Sequence, residues 1–212
     1  MINQSSDTKN QSSLAALRRF VRPRIVTEHC DMCNAVIPDE HTHLLEPSSR
    51  KIHCACRACA ILFDGDGATK FKRVPTRVRY LPEFNLTDSQ WDNLMIPIQM
   101  AFFFDSTPDE RIVALYPGPA GATESLLTLE AWNEIVAENP LLEQMQTDVE
   151  ALLVNRVGKT RDYYVVPIDE CYKLIGLIRT HWSGLSGGTE VWREIAKFYA
   201  ALRERSVEVK SA

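Results

Sequence analysis

His29-Cys30-Asp31-Met32-Cys33 is followed, after a gap of twenty residues, by Cys54-Ala55-Cys56-Arg57-Ala58-Cys59. Five of the chain's six cysteines and four of its five histidines (His29, His41, His43 and His53) lie in this stretch. The spacing is C-x2-C, a gap about the length of a β-hairpin, then C-x-C-x2-C. Two C-x2-C pairs separated by roughly 15–20 residues are a metal-site pattern. A tetrahedral thiolate site needs two short chelating turns brought together, and this spacing supplies them. The stretch predicts a small cysteine-rich module held by its own ligands.

The set that matches pair to pair is Cys30, Cys33, Cys56 and Cys59. Thiolates hold zinc at about 2.3 Å and give a small module the cohesion that its few apolar residues cannot. Zinc in a closed, zinc-ribbon-like site is therefore the expectation. Iron also accepts four thiolates and is the alternative. A catalytic zinc needs an open coordination position, and nothing in the spacing marks one. Cys54 stands one strand period from Cys56, so both can point the same way. It is an alternate ligand, a free thiol beside the site, or a core residue. His41-Thr42-His43 puts two imidazoles on one side of a possible strand. Their expected place is on the surface or in support of the ligands.

Working outward, the 212 residues are 45% hydrophobic and 25% charged, an ordinary globular composition. That length accommodates one sizeable domain and a small satellite. No run of 18 or so apolar residues predicts a membrane span. The polar start, Met1 to Ser13, lacks the apolar core of a signal peptide. The expected address is cytoplasmic, where thiols stay reduced and a metal is favoured over a disulfide framework. The net charge of −4 does not suggest nucleic-acid binding, but the charge is unevenly distributed. Residues 50–79 hold eight Lys or Arg against Asp64 and Asp66, and residues 81–150 hold thirteen Asp or Glu against Arg111. Such segregation either guides a partner or is neutralised within the fold.

Three parts are expected: a basic N-terminal arm over 1–24, the cysteine-rich module over 25–70, and an α+β domain over 71–212. In the arm, Ser13 can cap a short helix with Leu14, Leu17 and Val21 on one face. In the module, Asn34 suits a chelating turn that needs positive φ. His43 to Leu45 and Lys51 to Cys54 read as the two arms of a hairpin joined at Glu46-Pro47-Ser48-Ser49. Beyond it, Lys72 to Leu81 alternates basic and apolar residues, which predicts a half-exposed strand that Pro75 puts at an edge or breaks. Thr87-Asp88-Ser89-Gln90 has capping-box form and opens a short helix. Ile96 to Phe104 reads as a central strand and Arg111 to Tyr116 as another. Residues 116–125 read as a Gly/Pro loop before a helix over 128–138, with a further helical piece from Pro140 to Met145. Asp148 to Arg156 and Asp162 to Pro167 form a hairpin. Its tip, Gly158-Lys159-Thr160, ends like a phosphate-binding loop, but Leu153 replaces the upstream glycine, so no nucleotide site is expected. Asp169 is expected to cap an amphipathic helix with Cys171, Leu174, Ile175, Ile178 and Trp182 on one stripe, which makes Cys171 core. The last helix, Glu190 to Arg205, should pack antiparallel to it, both covering a mainly antiparallel sheet.

Two stretches go beyond generic metal chemistry. One is Ile52-His53-Cys54-Ala55-Cys56-Arg57-Ala58-Cys59-Ala60. The other is Trp182-Ser183-Gly184-Leu185-Ser186-Gly187-Gly188-Thr189-Glu190-Val191-Trp192, preceded by Ile168-Asp169-Glu170-Cys171-Tyr172. Together they resemble an uncharacterised bacterial family found in gene neighbourhoods of nickel-iron uptake hydrogenases and their maturation factors. The resemblance covers most of residues 28–206. It implies an accessory role in assembling, metallating or stabilising a redox enzyme, with a hydrogenase subunit or maturation factor as the partner. It carries no catalytic role onto any residue.

Four functions follow for comparison. The first is a non-catalytic, zinc-bearing accessory protein that works through protein contacts. It fits the absence of a nucleophile–base pair at motif spacing, of H-E-x-x-H and of a dinucleotide fingerprint. The second is a rubredoxin-like iron electron carrier on the same cysteines. The third is a nucleic-acid-binding zinc ribbon that uses the basic residues between Arg50 and Arg79. The acidic remainder argues against it. The fourth is a thiol enzyme or metal-delivery protein with a reactive Cys54, which needs a lowered thiol pKa.

Overall fold

The computed structural model describes residues 27–64, 70–125 and 129–209. The expected N-terminal arm and its helix lie outside the described residues. The fold is α+β and, among the described residues, has three sheets that are antiparallel in all but one pairing. Among the described residues there are five α-helices and one 3-10 turn.

The cysteine module comes first. Strands β1 (Glu28–His29) and β2 (Val36–Ile37) form a two-stranded hairpin. Strands β3 (Thr42–Glu46) and β4 (Lys51–Ala55) form the expected second hairpin, followed by helix α1 (Arg57–Leu62). A third short strand, β5 (Lys72–Arg73), pairs with β3, so the module's sheet takes in residues beyond 70. Its own apolar cluster is small: Ile37, Leu44, Ala55 and Ala60 with Cys30 and Cys59.

The strand expected over Lys72 to Leu81 is two short pieces. β6 (Arg79–Tyr80) joins the large sheet, whereas β5 stays with the module. Pro75 lies between them and lacks the N–H that a continuous ladder needs. Helix α2 (Asp88–Asn93) follows, and Thr87 with Gln90 makes both bonds of the capping box. The large sheet also contains β7 (Met100–Ser106), β8 (Arg111–Gly118), β9 (Gly121–Ser125), β10 (Glu150–Asn155), β11 (Asp162–Pro167) and β12 (Val207–Glu208). Its order is β12-β6-β11-β10-β7-β8-β9. The β7 strand starts later than the apolar run from Ile96 suggests, and residues 116–125 continue as a β8–β9 hairpin where a loop is expected. Gly121, at φ 126°, supports that turn.

Period-two alternation assigns each strand residue to a face. Phe102, Phe104, Leu153, Tyr164 and Val166 point to one side, and Ala101, Phe103, Leu152, Val154 and Val165 to the other. The first face is covered by helices α4 (Ile168–His181) and α5 (Gly188–Glu204) through Cys171, Leu174, Ile178, Val191, Ile195 and Leu202. The second is covered by α2, by α3 (Leu129–Glu138) and by the 3-10 turn Pro140–Gln144. Burying each large apolar side chain contributes roughly 1.5–3 kcal/mol before conformational entropy is set against it.

Helix α4 differs from expectation at its start. Pro167 occupies the N-cap and no side chain caps the helix. Asp169 faces the cysteine module instead. Part of the uneven charge is neutralised within the fold. Asp148, 2% exposed, accepts from Lys72 Nζ at 2.6 Å and from the Thr107 backbone N–H and hydroxyl. Glu150, fully buried, accepts from Arg77 Nε at 3.0 Å, Arg79 at 2.9 Å and the Gln146 backbone N–H. Arg50 bonds Asp109 at 2.7 Å and lies over the Phe104 ring.

Removing one partner from a buried ion pair leaves an uncompensated charge and costs about 3–5 kcal/mol. Glu150→Ala, which strands Arg79, should lower the stability measured by urea unfolding by that amount. Asp109→Asn, on a half-exposed pair, should cost about 1 kcal/mol or less. Equal effects from the two variants would show that the Glu150 cluster does not anchor the module segment to the sheet.

Candidate metal centre

The two cysteine pairs approach from unlike elements. Cys30 and Cys33 lie on the turn between β1 and β2. There the Asn34 N–H donates to Cys30 O at 2.8 Å and the Cys30 N–H to Ala35 O at 2.8 Å. Asn34 takes φ 60°, the positive value its position predicts. The second pair is not a matching turn between strands. Cys56 is the N-cap of α1 and Cys59 lies in its first turn, and the Cys59 N–H donates to Cys56 Sγ at 3.4 Å. One residue ties the two halves together: the Asp31 backbone N–H donates to Cys54 O at 2.8 Å, and Asp31 Oδ2 accepts from the Cys54 N–H at 2.9 Å. Asp31 stands inside the first C-x2-C, yet its role depends on a contact 23 residues away and has no local signal.

Sγ atoms of Cys30, Cys33, Cys56 and Cys59 all lie within 4.8 Å of one another, and the Cys33–Cys56 separation is 3.7 Å. Four sulfurs about 2.3 Å from a tetrahedral ion are about 3.8 Å apart. All six cysteines are free thiols. Among the four, ionisation is uneven. Burial opposes it at Cys30, but backbone N–H groups of Cys56, Cys33 and Met32 outweigh burial and bring that thiol down to about 6. At Cys59, burial and then hydrogen bonding with Cys33, Cys56 and Cys30 push the thiol up to about 12. A bound cation would override these opposing influences by deprotonating its thiol ligands. The four residues can hold a metal ion.

Cys54 is placed elsewhere. It is the cross-strand partner of His43, and its sulfur groups with His41 and His43. Burial raises its thiol pKa, and the Asp31 and Glu28 carboxylates and Cys30 raise it further. These influences oppose the lowered pKa that a reactive nucleophile requires. His53 is buried near Asp31 and Glu46, with its ring edge-on to Phe71. His29 is exposed in β1. Cys171 is fully buried under the sheet, as its helical stripe predicts.

The glycine–tryptophan stretch forms the α4–α5 connection. Gly187 and Gly188 have φ of 88° and 72°, and a Cβ at Gly188 would stand 2.4 Å from Ser183 Oγ. Trp182 and Trp192 from this stretch, with Ile98, Met100, Tyr116 and Pro117, line an apolar cleft of about 410 Å³. The hairpin at residues 117–120 and the tryptophan stretch are thus brought together by the sheet.

These features define an α+β protein with a four-cysteine centre capable of binding metal. The chain belongs to a family described as a family of unknown function, DUF5947, which matches residues 29–206. No curated protein and no solved structure matches it. Among the described residues, no helix is long and apolar enough to cross a membrane.

Thiol accessibility follows from this placement. In chelator-treated, reduced, folded protein, Cys33 should react fastest with a thiol reagent, and Cys171 should react only on unfolding. Mass-spectrometric mapping of labelled peptides over time checks the order. Labelling of Cys171 at the rate of Cys33 would contradict the packing of α4 on the sheet.

Proposed function

We propose that this protein is a non-catalytic, zinc-binding accessory protein. Zinc at Cys30, Cys33, Cys56 and Cys59 would rigidify the module, and the protein would act through contacts with another protein. The observation that carries the reading is the convergence of four sulfurs from two C-x2-C pairs at separations suited to one tetrahedral ion. The module's own apolar cluster is small, so metal ligation would supply much of its cohesion. The family resemblance supplies the kind of partner: a subunit or maturation factor of a hydrogenase-type redox enzyme, which the protein would help to assemble or mature.

A zinc-ribbon role on nucleic acid has less support. Arg50, Lys70, Lys72, Arg77 and Arg79 all have carboxylate partners within the chain, so few cations of the basic segment remain for phosphates. The electron-carrier alternative shares the same ligands and differs in the ion.

Elemental analysis with a visible spectrum, on protein purified without added metal, tests the metal assignment. The expected result is colourless protein containing a zinc that Cys33→Ser and Cys59→Ser lose and Cys54→Ser retains. Iron with thiolate charge-transfer bands would replace the accessory reading with an electron carrier. Protein that neither contains nor takes up metal at these cysteines would overturn both. The partner is tested by affinity purification from the native host. Co-elution of a hydrogenase subunit or maturation factor is expected, and its absence under hydrogenase-expressing conditions would overturn that part.

A further inference from the structure

A second constellation stands apart from the four cysteines. His41 immediately precedes β3, His43 lies in β3, and Cys54 pairs with His43 across the β3–β4 ladder. One ligand atom from each of these residues lies within 4.8 Å of the others. The two imidazoles meet edge to face with centroids 4.8 Å apart.

Both rings have defined tautomers. The His41 Nδ1–H donates to the Pro38 carbonyl at 2.9 Å, and the His43 Nδ1–H donates to Asp169 Oδ2 at 2.7 Å. A neutral imidazole that gives its Nδ1 proton to an oxygen keeps its lone pair on Nε2. Carboxylate and carbonyl partners of this kind orient metal-binding histidines and raise their basicity. His41 is 7% exposed at its side chain, and its buried Nε2 has no hydrogen-bond partner. Burying an acceptor in that condition is costly unless something else bonds to it.

The group opens onto a cleft of about 580 Å³, where Glu28, Asp39 and Glu40 supply carboxylates, while Glu170 in the same lining is paired with Lys173 and Arg205. Three nitrogen and sulfur ligands at the floor of a solvent cleft leave a fourth position for water or an incoming ligand, unlike a closed four-cysteine site. Imidazole with thiolate favours borderline divalent transition ions, and the surrounding carboxylates favour a cation over an anion.

We infer that His41, His43 and Cys54 form a second metal site, for a borderline divalent ion of the zinc type, with one coordination position open to the cleft and Asp169 as its positioning residue. The histidines bind as neutral Nε2 donors. Cys54 binds as thiolate, and its proton leaves to solvent as the metal–sulfur bond forms. This site shares no ligand with the four-cysteine centre, so the inference does not rest on the function proposed above.

The test is titration of reduced, metal-stripped, full-length protein with zinc(II), and then with cobalt(II) as a spectroscopic probe. Wild type should take up two ions, and Cys54→Ser and His41→Ala should each take up one. The difference spectrum between wild type and Cys54→Ser, both saturated with cobalt, should contain a thiolate-to-cobalt band. Asp169→Asn should weaken the second ion about 10–100-fold and leave the first unchanged, which a merely structural role would not do. Circular dichroism checks that each variant is folded, and His43→Asn serves if His41→Ala is not. Two ions retained by folded Cys54→Ser would overturn the proposal, as would a single ion that only Cys33→Ser or Cys59→Ser removes. A single ion lost in Cys54→Ser and kept in Cys33→Ser would support this site and overturn the four-cysteine assignment. Uptake of no ion would overturn both.

Discussion

Asp148 and Glu150 are buried carboxylates beside and within a central strand, and a carboxylate in that position must be paired or it destabilises the sheet. Lys72, Arg77 and Arg79, on the segment that leaves the cysteine module, supply the pairing cations. Leu45 and Val74 bring apolar surface from the module to the same seam. The module is therefore held to the large sheet in one register. That register brings His43 within 2.7 Å of Asp169 at the start of α4. The carboxylate partner of His43 follows from this docking, whereas the His41–Pro38 bond and the pairing of His43 with Cys54 are made within the module.

The same seam accounts for the uneven charge along the chain. Positive residues between 50 and 79 meet negative residues between 105 and 150 because the module folds back onto β7, β8 and β10. Asp109, Glu124, Asp148 and Glu150 are neutralised in this way within the fold. The apolar cleft beside Trp182 and Trp192 is built from residues near 98–100, 116–123, 157–158 and 178–195, which the seam does not use.

The histidine group sits on the hairpin β3–β4, and the four-cysteine centre takes its second pair from the helix start that follows it. Cys54 and Cys56 would share a face if the strand continued, but β4 ends at Ala55 and Cys56 caps a helix. That change of period separates the two sulfurs. The proposed zinc then has a closed set of four thiolates, and Cys54 is free to pair with the histidines opposite. Asp31 bonds Cys54 through both its backbone N–H and its side chain, so the two groups are mechanically joined although they share no ligand.

Local chemistry determined what the sequence shows plainly. The C-x2-C pairs, the positive φ of Asn34, the capping box at Thr87, the buried stripe through Cys171 and the apolar run of the central strand all depend on neighbours within a few residues. Their periods and turn preferences are therefore legible without the fold. The glycines at 187 and 188 are legible as a turn, though the close approaches that require them, of Val191 and Trp182 to Gly187 and of Ser183 to Gly188, are not. Tertiary structure decided the rest. Asp169 reads as a helix cap by position, but His43 lies 126 residues away in sequence and takes its carboxylate. Residues 116–125 read as a loop, because a Gly/Pro-rich edge strand has no signal until β8 offers it a ladder. Cys54 was ambiguous because strand register, and not spacing, decides which residue it faces. Contacts across long separations are set by how sheets and buried charges pack, and single-chain periodicity carries no record of them.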